Sequence, residues 1–116
     1  MRVWGTGLAV AVAALCAVGC GSGGGGAARE RTLQTEGRRV FVGVGCGRCH
    51  TLAAAGTHGA FGPDFDTSER LARRQIRNQI EYGAGGMPSY AHVLTAAQKA
   101  AVVEFVYAAT HGRRAR

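Results

Sequence analysis

The stretch Cys46-Gly47-Arg48-Cys49-His50 decides how the rest of this sequence is interpreted. Its two cysteines stand three positions apart, so on a helical turn their thiols face the same way. The histidine that follows them directly offers an imidazole nitrogen beside both thiols. This order of residues is the attachment motif of c-type haem, in which each thiol bonds a vinyl group and the histidine binds iron. The motif therefore predicts one covalently attached haem c, bound by Cys46, Cys49 and His50.

Two other chemistries also use a Cys-x-x-Cys pair. A redox dithiol requires an adjacent βαβ pattern, which this sequence lacks. A zinc site requires two more ligands at suitable spacing, and no second C-x-x-C or close histidine pair follows. The two remaining cysteines, Cys16 and Cys20, lie in or at the end of an apolar leader, so no disulfide framework is expected.

A haem that only transfers electrons is expected to have both axial positions of its iron filled. Met87 is the only methionine after the initiator, and it follows the glycine-rich residues 83–86. Glycines let the backbone approach a ring closely, and Pro88 restricts the chain after the methionine. A thioether is an axial ligand that raises the haem potential. Met87 is therefore predicted as the second iron ligand. The alternative ligands are three histidines, of which the second is the most serious: His58, His92 and His111.

Length and charge limit the remaining possibilities. The 116 residues leave room for one domain, and a core this small is marginal without a cofactor or another staple. The net charge of +7 suits acidic proteins, anionic membrane surfaces or nucleic acid. Nucleic acid is disfavoured because the chain has an export leader and no aromatic residues within a basic run. No small-molecule substrate is expected.

The N-terminus is typical of a signal peptide, with a positive start followed by the almost wholly apolar residues 3–18. That run is short for a bilayer core of ~30 Å, although a retained anchor is the alternative. Residues 17–20, Ala-Val-Gly-Cys, resemble the lipobox of bacterial lipoproteins, with Ala17 where leucine is usual. The resemblance implies a lipidated Cys20 and a protein anchored at the outer face of the cytoplasmic membrane or in the periplasm. The alternative is ordinary cleavage to a soluble product.

Three further features complete a resemblance to class I monohaem cytochromes c, in particular small bacterial ones. They are Gly37 and Phe41 before the attachment motif, Gly62-Pro63 after it, and Met87-Pro88. The resemblance covers residues 37–110 and implies a small all-α fold wrapped around one haem, with the first and last helices packed across each other.

The same resemblance carries two finer expectations. It implies that the carbonyl of Pro63 accepts a hydrogen bond from the N–H of the second ring nitrogen of His50 and so orients the imidazole. One residue more than the commonest pattern lies between Phe41 and Cys46, and the Val44-Gly45 stretch is interpreted as a small irregularity in the first helix.

The predicted organisation has four parts. They are a signal peptide of residues 1–19, a flexible linker of residues 20–35, a cytochrome c domain of residues 36–112 and a basic tail of residues 113–116. Thr67 or Ser68 is expected to cap a helix that runs to about Tyr82 and ends at Gly83. No strand is predicted.

The last helix is expected to begin with a capping box, Thr95 with Gln98, and to run to about Thr110. On the preceding helix, four arginines share an arc of about 100° at 3.6 residues per turn, partly offset by Glu81. They are Arg70, Arg73, Arg74 and Arg77. This arc is either a steering surface for an acidic redox partner or an ordinary solvated face.

The function that these observations predict is a single-electron carrier, not an enzyme, in an extracytoplasmic respiratory or dehydrogenase-linked chain. Its partners would be redox proteins that donate and accept the electron. One alternative is a five-coordinate haem sensor or a peroxidase-like enzyme, and Met87 is the residue that discriminates between the two. Another is a domain that acts only within a larger oxidase or dehydrogenase complex.

Overall fold

The computed structural model describes Met1 and residues 24–112. Cys20, most of the predicted signal peptide and the basic tail lie outside the described residues. The described part contains three α-helices, two short strands and two 3₁₀ turns. They are α1 (Gly24–Gly43), a 3₁₀ turn (Cys46–Arg48), β1 (Thr51–Leu52), a 3₁₀ turn (Ala53–Ala55), β2 (Thr57–His58), α2 (Arg73–Tyr82) and α3 (Ala96–His111). No helix within these ranges is long and apolar enough to cross a bilayer.

The first and last helices pack across each other at a glycine. Gly37 of α1 is buried, and a Cβ atom at this position would collide with the carbonyl oxygen of Ala101 and stand 2.5 Å from Cβ of Phe105. Next to this contact, the rings of Phe41 and Phe105 meet edge to face with their centroids 5.8 Å apart. The crossing that the family resemblance implied is therefore present, and the all-α fold prediction is confirmed.

The start of α3 follows the predicted capping box. The hydroxyl oxygen of Thr95 accepts a hydrogen bond from the backbone N–H of Gln98 at 3.2 Å. In return, the side-chain oxygen of Gln98 accepts one from the backbone N–H of Thr95 at 2.9 Å. The helix runs one residue beyond the predicted end and buries an apolar face that forms much of the core: Ala101, Val102, Val103, Phe105 and Val106.

Helix α2 begins later than predicted. The backbone N–H and the hydroxyl of Ser68 both donate to the carbonyl oxygen of Asp64, so this segment is a turn instead of a helix start. Short polar side chains compete with helical hydrogen bonds in this way. The helix starts after Ala72, whose N–H donates to the side-chain oxygen of Gln75 at 2.9 Å. It ends at Gly83, as predicted, where φ is 69°.

The prediction that the domain has no strand was wrong. Strands β1 and β2 pair antiparallel, with Thr51 opposite His58 and Leu52 opposite Thr57. A ladder of two residues per strand is too short to show an alternating pattern in the sequence. It follows the attachment motif directly and therefore fixes the chain on the C-terminal side of His50.

The N-terminal part of α1 replaces most of the predicted flexible linker. Residues 24–35 are helical and mostly exposed, although Gly24, Gly25 and Gly26 are poor helix formers. The residues that follow carry helix-compatible side chains, and the amide of Gln34 donates to the carboxylate of Glu30 one turn earlier at 3.3 Å. The glycine content alone indicated a linker, whereas the helix continues from the packed segment around Gly37.

Candidate functional site

A cavity of about 550 Å³ lies between the three helices and the segments that connect them. Its walls are largely apolar and include Phe41 of α1, Ile76 and Ile80 of α2, and Val102 and Val106 of α3. Uncharged polar groups from residues 68–79 line one side. No lysine, arginine, aspartate or glutamate of the described residues lines it. Such a space suits a mostly apolar ligand that a few polar groups hold in place.

The attachment motif forms one edge of this cavity. Helix α1 ends at Gly43, and Gly45 adopts the left-handed conformation, with φ of 87°, before the 3₁₀ turn begins at Cys46. The expected irregularity at residues 44 and 45 is thus the end of the helix. Cys46 and Cys49 are unpaired, half-buried and both line the cavity. Burial raises the pKa of the Cys46 thiol to about 11 in the polypeptide, so this thiol is protonated at neutral pH.

The zinc alternative gains no support from this geometry. Across residues 24–112, no group of three or more histidine, cysteine or carboxylate side chains is placed to hold a metal ion. Two thiols and one imidazole at the edge of an apolar cavity instead fit a flat apolar cofactor attached through thioethers.

His50 is buried, and its ring has a defined orientation. Its Nδ1 lies 2.9 Å from the carbonyl oxygen of Pro63. Because a carbonyl oxygen only accepts, Nδ1 carries the proton and Nε2 keeps its lone pair available for a metal. The structure thus places Pro63 at the position that the family resemblance implied for it. A partner of this kind orients a ligating imidazole and increases its basicity.

Met87 lines the same cavity as His50. The methionine is half-buried, packs against the core and is held by a tight turn. In this turn the N–H of Met87 donates to the carbonyl of Ala84 at 2.9 Å, and the N–H of Ala84 donates to the carbonyl of Met87 at 3.2 Å. Gly83 and Gly85, both with positive φ, allow the chain to reverse here. The structure therefore brings Met87 together with Cys46, Cys49 and His50.

None of the three alternative histidines lines the cavity. His58 is exposed on β2, and His92 is exposed in the segment before α3. His111 stacks on the ring of Tyr107 with centroids 3.9 Å apart, and its Nδ1 lies 2.8 Å from the Tyr107 carbonyl oxygen. The strand that carries His58 contacts the turn of the attachment motif, but none of the three histidines lines the cavity that this motif borders.

Among the aromatic residues at the site that the sequence analysis missed, two lie in the loop around Pro63. The ring of Phe65 stacks on the imidazole of His50, and Phe61 stands at the mouth of the cavity, 78% exposed, with its ring against Gly86. Both lie in a loop without helical or strand periodicity, so no hydrophobic pattern marks them. The only available signal was the presence of large aromatic side chains in a glycine- and aspartate-containing loop beside Pro63.

The arginine arc is smaller than the sequence indicated. Arg70 precedes α2, and the guanidinium of Arg73 donates to both carboxylate oxygens of Glu104, at 2.8 to 3.0 Å. The same guanidinium lies 3.5 Å from the ring centroid of Tyr107. Glu81, which was expected to offset the arc, pairs with Lys99 at 2.7 Å.

The exposed arginines that remain on α2 are Arg74 and Arg77. None of the four arginines lines the cavity, because α2 turns its isoleucines toward it. Any steering charge on this helix therefore lies outside the cavity walls.

Comparisons with known proteins bear on what occupies the cavity. The model of the family described as cytochrome C oxidase, cbb3-type, subunit III matches residues 32–106. Among solved structures, the chain is similar to the c-type cytochrome SorU from Sinorhizobium meliloti, with 28% sequence identity and a TM-score of 0.63. That similarity covers 69% of this chain and 93% of the other. Among curated proteins, none matches this chain.

Proposed function

The chain belongs to the family of cbb3-type cytochrome c oxidase subunit III, and it is a small monohaem c-type cytochrome with covalently bound haem c. We propose that it carries single electrons, with His50 and Met87 as the ligands of the haem iron. One observation carries this proposal. His50 and Met87 line one cavity together with Cys46 and Cys49, whereas none of the three alternative histidines lines it. The proposal treats Cys46 and Cys49 as the thioether-forming residues.

Each of these residues has a separate task. The haem supplies an iron that cycles between the ferric and ferrous states. The Pro63 carbonyl holds the proton on Nδ1 of His50, so that Nε2 would be a neutral donor to the iron. The Met87 sulfur supplies a soft ligand that favours the reduced state. The apolar walls of the cavity restrict access of water to the site.

Substitution of the proposed methionine ligand tests this function against a five-coordinate sensor or a peroxidase-like enzyme. In the wild-type holoprotein we expect a low-spin spectrum with a methionine–iron charge-transfer band. Met87→Ala should become high-spin and bind carbon monoxide or cyanide readily. Met87→His should stay low-spin with a lower midpoint potential, because imidazole stabilises ferric iron better than a thioether does.

His92→Ala is the matched control, since His92 is exposed and lines no part of the cavity. It should change neither the spectrum nor the potential. A silent Met87→Ala together with a high-spin His92→Ala would transfer the ligand role to His92. A high-spin wild type that binds carbon monoxide would favour the sensor or enzyme.

The proposed location is the outer face of the cytoplasmic membrane or the periplasm, with Cys20 lipidated. It is supported by the lipobox-like residues 17–20 and by the apolar leader before them. Two acyl chains hold a protein on a membrane where a single chain binds only marginally. Mass spectrometry of the mature N-terminus tests the lipid. Cys20→Ala should abolish the modification, and an unmodified N-terminus beyond Cys20 would indicate a soluble product.

A second candidate is a role confined to a larger oxidase or dehydrogenase complex. The family description, which names an oxidase subunit, is the observation that favours it. Chemical crosslinking in membranes followed by purification separates the two possibilities. A carrier should be recovered mostly as a free monomer with transient donor and acceptor crosslinks, whereas a subunit should be recovered in one stoichiometric complex.

Steering of an acidic redox partner is proposed for Arg74 and Arg77 alone. Reversing both charges should slow electron transfer to the natural partner at low salt and have less effect at high salt. Exposed charges are screened beyond a distance of ~10 Å at 0.1 M ionic strength. Equal rates at both salt concentrations would make this helix face an ordinary solvated surface.

A further inference from the structure

The imidazole of His50 is covered by an aromatic ring that the attachment motif does not require. The ring of Phe65 lies almost parallel to it, with an interplanar angle of 10° and centroids 4.4 Å apart. Phe65 stands two positions after Pro63, so the same loop supplies both the hydrogen-bond acceptor and the stacked ring.

The other face of the imidazole is covered as well. A Cβ atom added at Gly62 would stand 2.7, 2.9 and 3.2 Å from Cε1, Nδ1 and Nε2 of His50. Such similar distances to three ring atoms place the Cα–H of Gly62 over the ring face and not at its edge. Because Phe65 already occupies one face, Gly62 lies against the opposite one. The imidazole is thus confined between the backbone of Gly62 and the Phe65 ring.

Backbone hydrogen bonds fix both sides of this arrangement. The N–H of Gly62 donates to the carbonyl of Cys49 at 2.7 Å, and the N–H of Phe65 donates to the carbonyl of Thr51 at 3.0 Å. These acceptors flank His50 in the chain, so the loop is tied to the histidine's own segment. These bonds therefore fix the position of the backbone from which the Phe65 side chain extends over the imidazole.

The contact with Pro63 alone does not define the plane of the imidazole. A hydrogen bond weakens steeply only when its angle falls below about 120°, so it tolerates a considerable rotation of the donor ring. A parallel ring in contact does not, because rotation of the imidazole drives one of its edges into the phenyl ring. The acceptor therefore sets which nitrogen is free, and the stacked ring sets the direction in which the imidazole plane points.

We propose that Phe65 is a positioning residue that sets the plane of the His50 imidazole and thereby the electronic asymmetry of the haem iron. This inference rests on the proposed function, in which His50 binds the iron. In the low-spin ferric state, the orientation of the imidazole plane is one of the axial-ligand features that determine which haem methyl groups receive most spin density. Phe65 touches neither the iron nor the attachment bonds in this proposal and acts only through His50.

Proton NMR of the ferric holoprotein tests the proposal. Phe65→Leu should keep a low-spin visible spectrum but change the order or the spread of the four hyperfine-shifted haem methyl resonances. Phe65→Tyr, which retains a flat ring, should keep the wild-type order. Phe105→Leu is the control, because it removes a buried phenyl ring that does not line the cavity. It should lower stability and leave the methyl pattern unchanged.

The outcomes separate this inference from the proposed function. A low-spin Phe65→Leu variant with the wild-type methyl pattern would overturn the positioning role while leaving the electron carrier intact. An equal change of pattern in Phe105→Leu would overturn it too, since the effect would then come from general loosening of the core. A wild-type protein without low-spin histidine ligation would instead overturn the proposed function.

Discussion

Replacement of Gly37 by alanine offers the sharpest test of the helix crossing. The new Cβ would collide with the carbonyl oxygen of Ala101 and approach Cβ of Phe105 to 2.5 Å, and neither atom can rotate away. Overpacking of this kind costs about 1–3 kcal/mol, and more where backbone has to move. Removal of a glycine from a helix interior returns about 1 kcal/mol. With the overpacking cost near the top of its range, we expect a net loss of about 2 kcal/mol in the free energy of unfolding.

Urea denaturation of the holoprotein, followed by far-ultraviolet circular dichroism, measures this loss. The slope with denaturant should stay the same while the midpoint falls. In a domain of this size, about 2 kcal/mol corresponds to a decrease of about 10 °C in Tm. Gly43→Ala is the matched control in the same helix, because a Cβ at that position would have no atom within 4 Å apart from its chain neighbours and the backbone of its own helix.

The control should be neutral or more stable than the wild type by up to about 1 kcal/mol. The reasoning would be refuted if Gly37→Ala were as stable as Gly43→Ala. In that case α1 and α3 could not approach as closely as the structure places them.

Three further substitutions have defined outcomes. Thr95→Ala removes a helix cap and should cost about 1 kcal/mol in chemical denaturation, whereas Thr95→Ser should stay near the wild type. Arg73→Ala removes a partly exposed ion pair and an aromatic contact, and should lower the free energy of unfolding by about 1 kcal/mol. Arg77 makes neither contact in the described structure, so Arg77→Ala should change the free energy of unfolding by less than about 0.5 kcal/mol. Gly62→Ala should displace the His50 ring and reduce the low-spin fraction of the purified holoprotein; a fully low-spin variant would contradict the close approach described here.

The features that the sequence predicted correctly depend on local chemistry. The start of α3 follows from two side chains three positions apart, Thr95 and Gln98, whose hydrogen bonds need no other part of the chain. Similarly, the attachment motif identifies the cofactor through the spacing of a few residues, and the family comparisons confirm haem c. The ligand roles of His50 and Met87 remain predictions, which the geometry supports by placing both at one cavity.

The features that were missed depend on contacts between distant segments of the chain or on competition between alternative local hydrogen bonds. Arg73 was expected to face solvent, yet it pairs with Glu104, which lies on another helix. The start of α2 was placed too early because Ser68 favours a helix cap in isolation, whereas here it bonds to Asp64 in a turn. The stacking of Phe65 on His50 arises from the path of a loop, which no periodicity describes.

The crossing of α1 and α3 also has a consequence for how the chain folds. It joins the beginning and the end of the domain and so closes a loop of about 60 residues. The chain loses conformational entropy on closing this loop before the contact between the helices can stabilise it. Topologies dominated by such distant contacts fold slowly. Both helices line the cavity, through Phe41 on one and Val102 and Val106 on the other. A haem already bonded to the segment between them gives both helices a shared apolar surface. Attachment of the haem should therefore accelerate formation of the contact between α1 and α3 as well as stabilise the folded domain.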